Sequence, residues 1–192
     1  MWPTRHYHTD PNGILFLSCL CLPPLPFVHC SGSQAVDNDD GSSFYDIHDN
    51  FFFDSEGLKQ DFGGHDSLFH DNVVYVAPTD GQNCINTWPF NEGHQHKVFG
   101  NKCIVSFENK VSTISGLDCK HPNNSVPIID DLHDNEYYTP DGNASASCGD
   151  TGFITIAEMQ AGGSLVERGS KMLKLPSDEE IFSWARAKLL MD

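Results

Sequence analysis

Arginine is nearly missing from this chain. Three occur among 192 residues, and none lies between His6 and Glu167. Lysine and arginine together number 11 against 27 acids, for a formal charge of −16. So acidic a chain repels phosphate backbones, and nucleic acid is not an expected partner. The same scarcity weighs against polysaccharide elimination, which needs a strong base and a cation beside the uronate carboxylate. Long apolar runs are missing as well. The longest, Ile14–Leu22, falls far short of the ~20 residues that cross a bilayer as a helix, so no membrane span is expected. Helical periodicity is absent between Phe44 and Tyr138, which excludes a βαβ sheet with crossover helices.

What the amino terminus does have is the outline of a secretory leader. Arg5 precedes the apolar stretch, Pro23-Pro24 follows it, and Ser31-Gly32-Ser33 supplies small residues for cleavage, although Asp10 is out of place. Residues 1–33 are therefore expected to be a signal peptide and the protein to be secreted. If Cys19, Cys21 and Cys30 leave with it, Cys84, Cys103, Cys119 and Cys148 remain, an even set with three possible pairings. The sequons at Asn123 and Asn143 sit in Pro- and Gly-rich loop sequence and fit the same oxidising, extracellular setting. Residues 34–43 are polar, with nothing evident to bury, and read as a disordered linker.

From Phe44 onward one phrase recurs: an apolar residue, His, Asp and Asn, then a hydrophobic run. It appears at Ile47-His48-Asp49-Asn50, Phe69-His70-Asp71-Asn72 and Leu132-His133-Asp134-Asn135, and more weakly at Val98-Phe99-Gly100-Asn101. The asparagines stand 22, 29 and 34 residues apart. Self-similarity at such periods is the mark of a stacked solenoid. Asn tolerates a left-handed corner, and its amide can bond to the same residue one coil on. Candidate strands are 51–53, 72–77, 97–98, 102–107, 110–114, 126–129 and 136–138, which place the coils at 44–150. Residues 151–192 change character. Thr155 with Glu158 and Ser177 with Glu180 are capping boxes, each opening a helix. The second helix puts Ile181, Trp184, Ala185, Lys188 and Leu189 on one face, as a terminal cap would.

The carboxyl part carries a resemblance. Tyr137-Tyr138-Thr139-Pro140-Asp141-Gly142-Asn143, Ser147-Cys148-Gly149, Ile156-Ala157-Glu158-Met159-Gln160 and Leu175-Pro176-Ser177-Asp178-Glu179-Glu180-Ile181 with Trp184-Ala185-Arg186 resemble the end of right-handed parallel β-helix proteins of the pectin-lyase-like class. The likeness extends over roughly residues 44–190. It departs at Met159, where tryptophan is expected, and at 164–174, where a Gly-x-Asp-x-x-Ser phrase is lost. About four coils are present, fewer than in a complete member. The resemblance implies an all-β fold, a short right-handed parallel β-helix with a C-terminal helical cap, and an association with polysaccharide.

Four groups of residues could carry chemistry. His48, His70 and His133 would form a column if the coils stack in register, but a solvated corner is the plainer reading. His94 and His96, with His65-Asp66 upstream, have an alternation that puts two rings on one side of a strand, as a metal accepts. Glycoside hydrolysis needs two neighbouring carboxylates, for which Asp80, Asp130 and Asp131 are candidates with His65 beside them. Trp88, Phe90 and Tyr75 could stack on sugar rings. The expectation is a secreted, carbohydrate-associated binding or structural protein without a catalytic set. The alternative is a calcium-assisted polysaccharide lyase or hydrolase. No cofactor is expected, with Ca2+ required only by that alternative.

Overall fold

A computed structural model describes residues 34–38, 40–60, 63–76, 83–88, 93–114, 131–148, 152–162 and 166–189, and the backbone of three short strands at 8–9, 15–16 and 27–29. Asp80, Phe90, Cys119, Asn123 and Asp130 lie outside the described residues. β1 (His8–Thr9) and β2 (Leu15–Phe16) form a separate antiparallel pair. β3 (Phe27–His29) and β4 (Gln34–Asn38) lead into four rungs of three strands each. These are β5 (Asp46–His48), β6 (Phe51–Phe53) and β7 (Glu56–Gln60); β8 (Leu68–His70), β9 (Val73–Val76) and β10 (Ile85–Thr87); β11 (Lys97–Phe99), β12 (Lys102–Val105) and β13 (Lys110–Ile114); and β14 (Asp131–His133), β15 (Glu136–Thr139) and β16 (Ser145–Cys148). Then come β17 (Gly152–Thr155), α1 (Ile156–Ala161), β18 (Lys171–Lys174) and α2 (Asp178–Lys188). Among the described residues no helix is long and apolar enough to cross a membrane.

Each rung sends one strand to each of three sheets, so neighbours in a sheet are three strands apart in sequence. Sheet I is β5-β8-β11-β14. Sheet II is β3-β6-β9-β12-β15-β18, and sheet III is β4-β7-β10-β13-β16-β17. All pairings in these sheets are parallel except β16 with β17. Strict register puts like residues above one another. Ile47, Phe69, Val98 and Leu132 form one inward column, and Phe52, Val74, Cys103 and Tyr137 another. Side chains from all three sheets meet in a single core cluster. A disulfide joins Cys84 to Cys103 within it, and Cys148 is disulfide-bonded as well.

The corner from sheet I to sheet II sets the register. Its left-handed residue is not the asparagine but the residue before it: Asp49, Asp71 and Asp134 at φ of 58°, 53° and 52°, and Gly100 at 66°. The aspartate adopts that rare conformation, and the asparagine is freed to bond along the stack. Asn72 Oδ1 accepts from the backbone N and the Nδ2 of Asn50, both at 3.0 Å. Asn72 Nδ2 donates to Ile47 O at 3.0 Å and to Asn101 Oδ1 at 3.1 Å. Asn101 repeats this with Asn135. The ladder ends at Ser170, whose Oγ accepts from Asn135 N at 3.1 Å. Arg168-Gly169-Ser170 is therefore a fifth copy of the corner, with Gly169 left-handed at φ 70° and Arg168 bridged to His133.

Two expectations change. Residues 34–38 of the expected linker form a strand instead, because β4 pairs with β7 and buries Ala35 and Val36 in the core. Its small apolar pair is enough once a neighbouring strand covers it. The two C-terminal helices also divide the work expected of one cap. α1, capped by Thr155 and Glu158, buries Ile156 and Met159 in the core cluster beyond the last rung. α2, capped by Ser177 and Glu180, instead lies along the outside of sheet II. Its Ile181 and Ala185 pack on Phe51, Val73, Ile104 and Tyr138, with Trp184 5.2 Å from the Tyr138 ring. Beside it, Glu136 binds Lys102, Lys171 (3.1 Å) and the Tyr138 hydroxyl (2.9 Å). Partial burial opposes ionisation of this carboxyl, but those bonds outweigh it and hold the pKa down to about 2. Lys188 reaches Asp49 in the first rung at 2.6 Å.

Replacing Asn72 with alanine strands the buried N–H of Asn50 and the carbonyl of Ile47 together. Asn72→Ala is expected to cost about 3 kcal/mol in urea unfolding, the scale of buried groups left unpaired. A loss under about 0.5 kcal/mol, the level of an ordinary surface change, would show that the ladder does not hold the rungs.

Candidate functional site

The corner from sheet III to sheet I has an inner and an outer layer. Inside, Ser67 Oγ accepts from Tyr45 N at 3.2 Å, and His96 Nδ1 accepts from Ser67 N at 3.3 Å, a second side-chain ladder. His96 Nε2 donates to Gly64 O at 3.0 Å. Accepting at one nitrogen and donating at the other fixes a neutral tautomer. Burial pushes the His96 pKa down to about 4 against the hydrogen bond to Gly64. His96 is thus a rung-holding residue that faces inward. The expectation that it shares a side with His94 fails, because residues 94–96 precede β11 and lack a strand's alternation.

Outside the same corner, His94 meets His65 and Asp66. His94 Nδ1 lies 2.6 Å and His65 Nδ1 2.9 Å from Asp66 Oδ2, and the two rings are 4.2 Å apart. One nitrogen from each histidine and one oxygen from Asp66 all fall within 4.8 Å of one another. Asp66 is held left-handed at φ 54°. Bonds from both imidazoles keep its carboxyl below the usual range, led by His94 and opposed by desolvation. An open pocket of about 640 Å3 adjoins the group, lined by Asp66, Leu68, Gly93, His94, Gln95 and Lys97.

At the sheet I–II corner the expected histidine column is present, and it does more than occupy solvent. His48, His70, Phe99 and His133 stack ring on ring at centroid spacings of 5.0, 4.7 and 5.1 Å. Each histidine Nδ1 donates to the left-handed aspartate after it, at 3.0, 2.8 and 2.9 Å. Phe99 fills the third place because stacking needs a flat ring and does not need a nitrogen.

The outer face of sheet III carries a row of polar side chains. Asp37, Lys59, Asn86, Thr113 and Ser147 stand in register, and Phe153 continues the row on β17. Lys59 pairs with Asp37 at 3.0 Å. Phe153 is 69% exposed, and Trp88, just past β10, is 40% exposed.

The remaining sequence candidates are dispersed. Asp131 accepts from Arg168 at 3.1 Å and lies 3.8 Å from His133 Nε2, whereas His65 is bound to Asp66. Tyr75 stacks on Phe53 at 5.3 Å in the cluster beneath α2, so it and Trp88 belong to different sheets and make no common platform. Asn143 is exposed in the turn before β16. Two residues escaped notice altogether. Arg168 places an arginine on the last rung, and Glu167 occupies the inward column of Leu132, fully buried. The signal was present: Val166-Glu167-Arg168-Gly169-Ser170-Lys171 has the Gly–polar–Lys ending of Val98-Phe99-Gly100-Asn101-Lys102. Tyr137 donates to Glu167 Oε1 at 2.7 Å. Desolvation nevertheless raises the Glu167 pKa to about 7.

Comparison with protein-family models, curated proteins and solved structures found no match.

His96 and Glu167 shape acid stability in opposite senses. His96 falls from an unfolded value of 6.5 to about 4, so its contribution is complete above pH 6.5 and is lost as pH falls to 4. Glu167 rises from 4.5 to about 7, so its contribution is complete below pH 4.5 and is lost as pH rises through 7. Each swing is on the order of 3 kcal/mol, and between pH 4.5 and 6.5 they offset. In denaturant titrations, Glu167→Gln is expected to leave stability rising with pH over that range, and His96→Gln to leave it falling. Parallel pH profiles for the two variants would show that neither group titrates as described.

Proposed function

We propose that this chain is a secreted, short right-handed parallel β-helix of the pectin-lyase-like class that binds extracellular carbohydrate without transforming it. Three parallel sheets visited in turn, with asparagine corners in register, support the architectural part. The observation that carries the binding part is the outward row on sheet III. It offers one hydrogen-bonding side chain on each of its five parallel strands β4, β7, β10, β13 and β16, at the sheet's spacing of about 4.8 Å, close to the rise of an extended chain of pyranose rings. Carboxylate, ammonium, amide and hydroxyl groups suit ring hydroxyls, and the exposed Trp88 and Phe153 offer apolar faces for stacking. A charge of −16 disfavours polyuronates, so the preferred ligand is a neutral β-linked glycan. Hydrolysis would need a second carboxylate, and the one in the row, Asp37, is paired with Lys59.

Affinity electrophoresis through gels containing xylan, glucomannan or mixed-linkage glucan tests the reading. Retardation by at least one of them is expected, weakened about tenfold by Trp88→Ala, as loss of a stacking contact worth about 1.4 kcal/mol predicts. No reducing ends or unsaturated uronates should appear with these glycans, pectin or alginate. Failure to bind any neutral glycan, or release of such products, overturns it.

A further inference from the structure

The outer triad at the sheet III–I corner is not needed to hold the rungs. Ser67 and His96 close the backbone there from inside, and the bonds Leu68 N to Tyr45 O (2.7 Å) and Lys97 N to Ser67 O (3.0 Å) fix the loops of successive rungs in register. Outside them, two imidazole nitrogens converge on one carboxylate oxygen at 2.6 and 2.9 Å. Donors bonded tetrahedrally to a metal at about 2.0–2.2 Å stand about 3.3 Å from one another. The two nitrogen–oxygen separations would therefore open by only about half an ångström to admit an ion, with all three donor atoms already within 4.8 Å of one another. From the geometry we propose that His65, Asp66 and His94 bind one divalent transition-metal ion of the zinc class. They would do so through both Nδ1 atoms and an Asp66 oxygen, with the remaining coordination position turned to the adjoining pocket.

The donor set chooses the class of metal. Two imidazoles and one carboxylate suit Zn2+, Ni2+ or Cu2+, while Ca2+ requires six or more oxygens. From neutral rings, binding releases no proton. Each ring transfers its hydrogen from Nδ1 to Nε2, and among the described residues neither Nε2 has a partner. The pocket holds Lys97 at its edge, a cation suited to an anion or to the lone pair of a sugar hydroxyl on the open position. His96 is no ligand, since both its nitrogens are engaged inside the corner. The inference stands apart from glycan binding, which uses sheet III.

Isothermal titration of the metal-stripped full chain with Zn2+, and Co2+ substitution read in the visible spectrum, test it. One ion per chain is expected, with the intense visible bands of four-coordinate Co2+. His94→Gln alters a side chain that is 45% exposed, and Asp66→Asn keeps a residue that tolerates the left-handed corner. Each should weaken Zn2+ binding by about 100-fold or more, at or beyond the upper end of what second-shell changes cost. His70→Gln, in the other histidine column, should leave affinity unchanged. The assignment is overturned if the wild-type chain binds no stoichiometric Zn2+, if His94→Gln and Asp66→Asn bind it as tightly as wild type, or if Ca2+ competes at equal concentration.

Discussion

Each rung of this protein is held to the next by a carboxamide at the corner between sheets I and II. That group does three things at once. Its oxygen accepts from the N–H of the preceding rung's asparagine, its nitrogen donates to a core-column carbonyl, and both atoms join the neighbouring carboxamides into one chain. Buried backbone groups at a sharp corner have no water to turn to, so their partners must come from a side chain of fixed length. Asparagine supplies both a donor and an acceptor at that length. Inward and outward side chains alternate from this point, so an error of one residue at the corner would turn the core columns outward. Everything laid upon the rungs, the core, the ring stack and the outward rows alike, inherits its order from that corner.

Much of this can be read in the residues, and the misses have physical causes. Phe51–Phe53 and Lys110–Ile114 show as strands because β-branched and aromatic residues dominate them. Glu56–Gln60 and Ser145–Cys148 do not, because their membership rests on pairing with neighbours instead of on propensity. The residues alone point to asparagine for the left-handed role, and aspartate has it. Both residues tolerate that conformation, and only the hydrogen-bond pattern separates them. The fifth corner hides because Ser170 only has to accept at its end of the ladder, so a hydroxyl serves there where an amide is needed elsewhere. Of the candidate site, His65, Asp66 and His94 were legible as nearby chemistry. Their convergence depends on the register of two loops that sequence spacing leaves open.

The two histidine-bearing corners show how one residue type is put to different uses by layer. Inside, the His96 ring is an acceptor at one end and a donor at the other, and burial keeps it neutral. Outside, His48, His70 and His133 add ring faces to a stack whose edges are tied to aspartates, so their value is cumulative along the column. Among the described residues, only at His65 and His94 do two rings share a single carboxylate oxygen. That concentrates donor atoms around a point instead of along a line, which is the difference between a structural ladder and a place where a small ion fits.

The contact between Lys188 and Asp49 joins residues 139 apart and, with the packing of Ile181 and Ala185 on Phe51, ties the last helix to the first rung, whereas the strand pairings run between adjacent rungs. A stack with only neighbour-to-neighbour bonds can form anywhere and grow outward, and it can fray rung by rung from either side. A helix laid along the outside of sheet II changes that order of events. During synthesis the first rung must wait, with the outer apolar row of Phe51 and Val73 uncovered, until α2 has left the ribosome. Once docked, α2 makes loosening of the first rung costly to the last, so the array should open as one cooperative unit and not as a series of peeling layers.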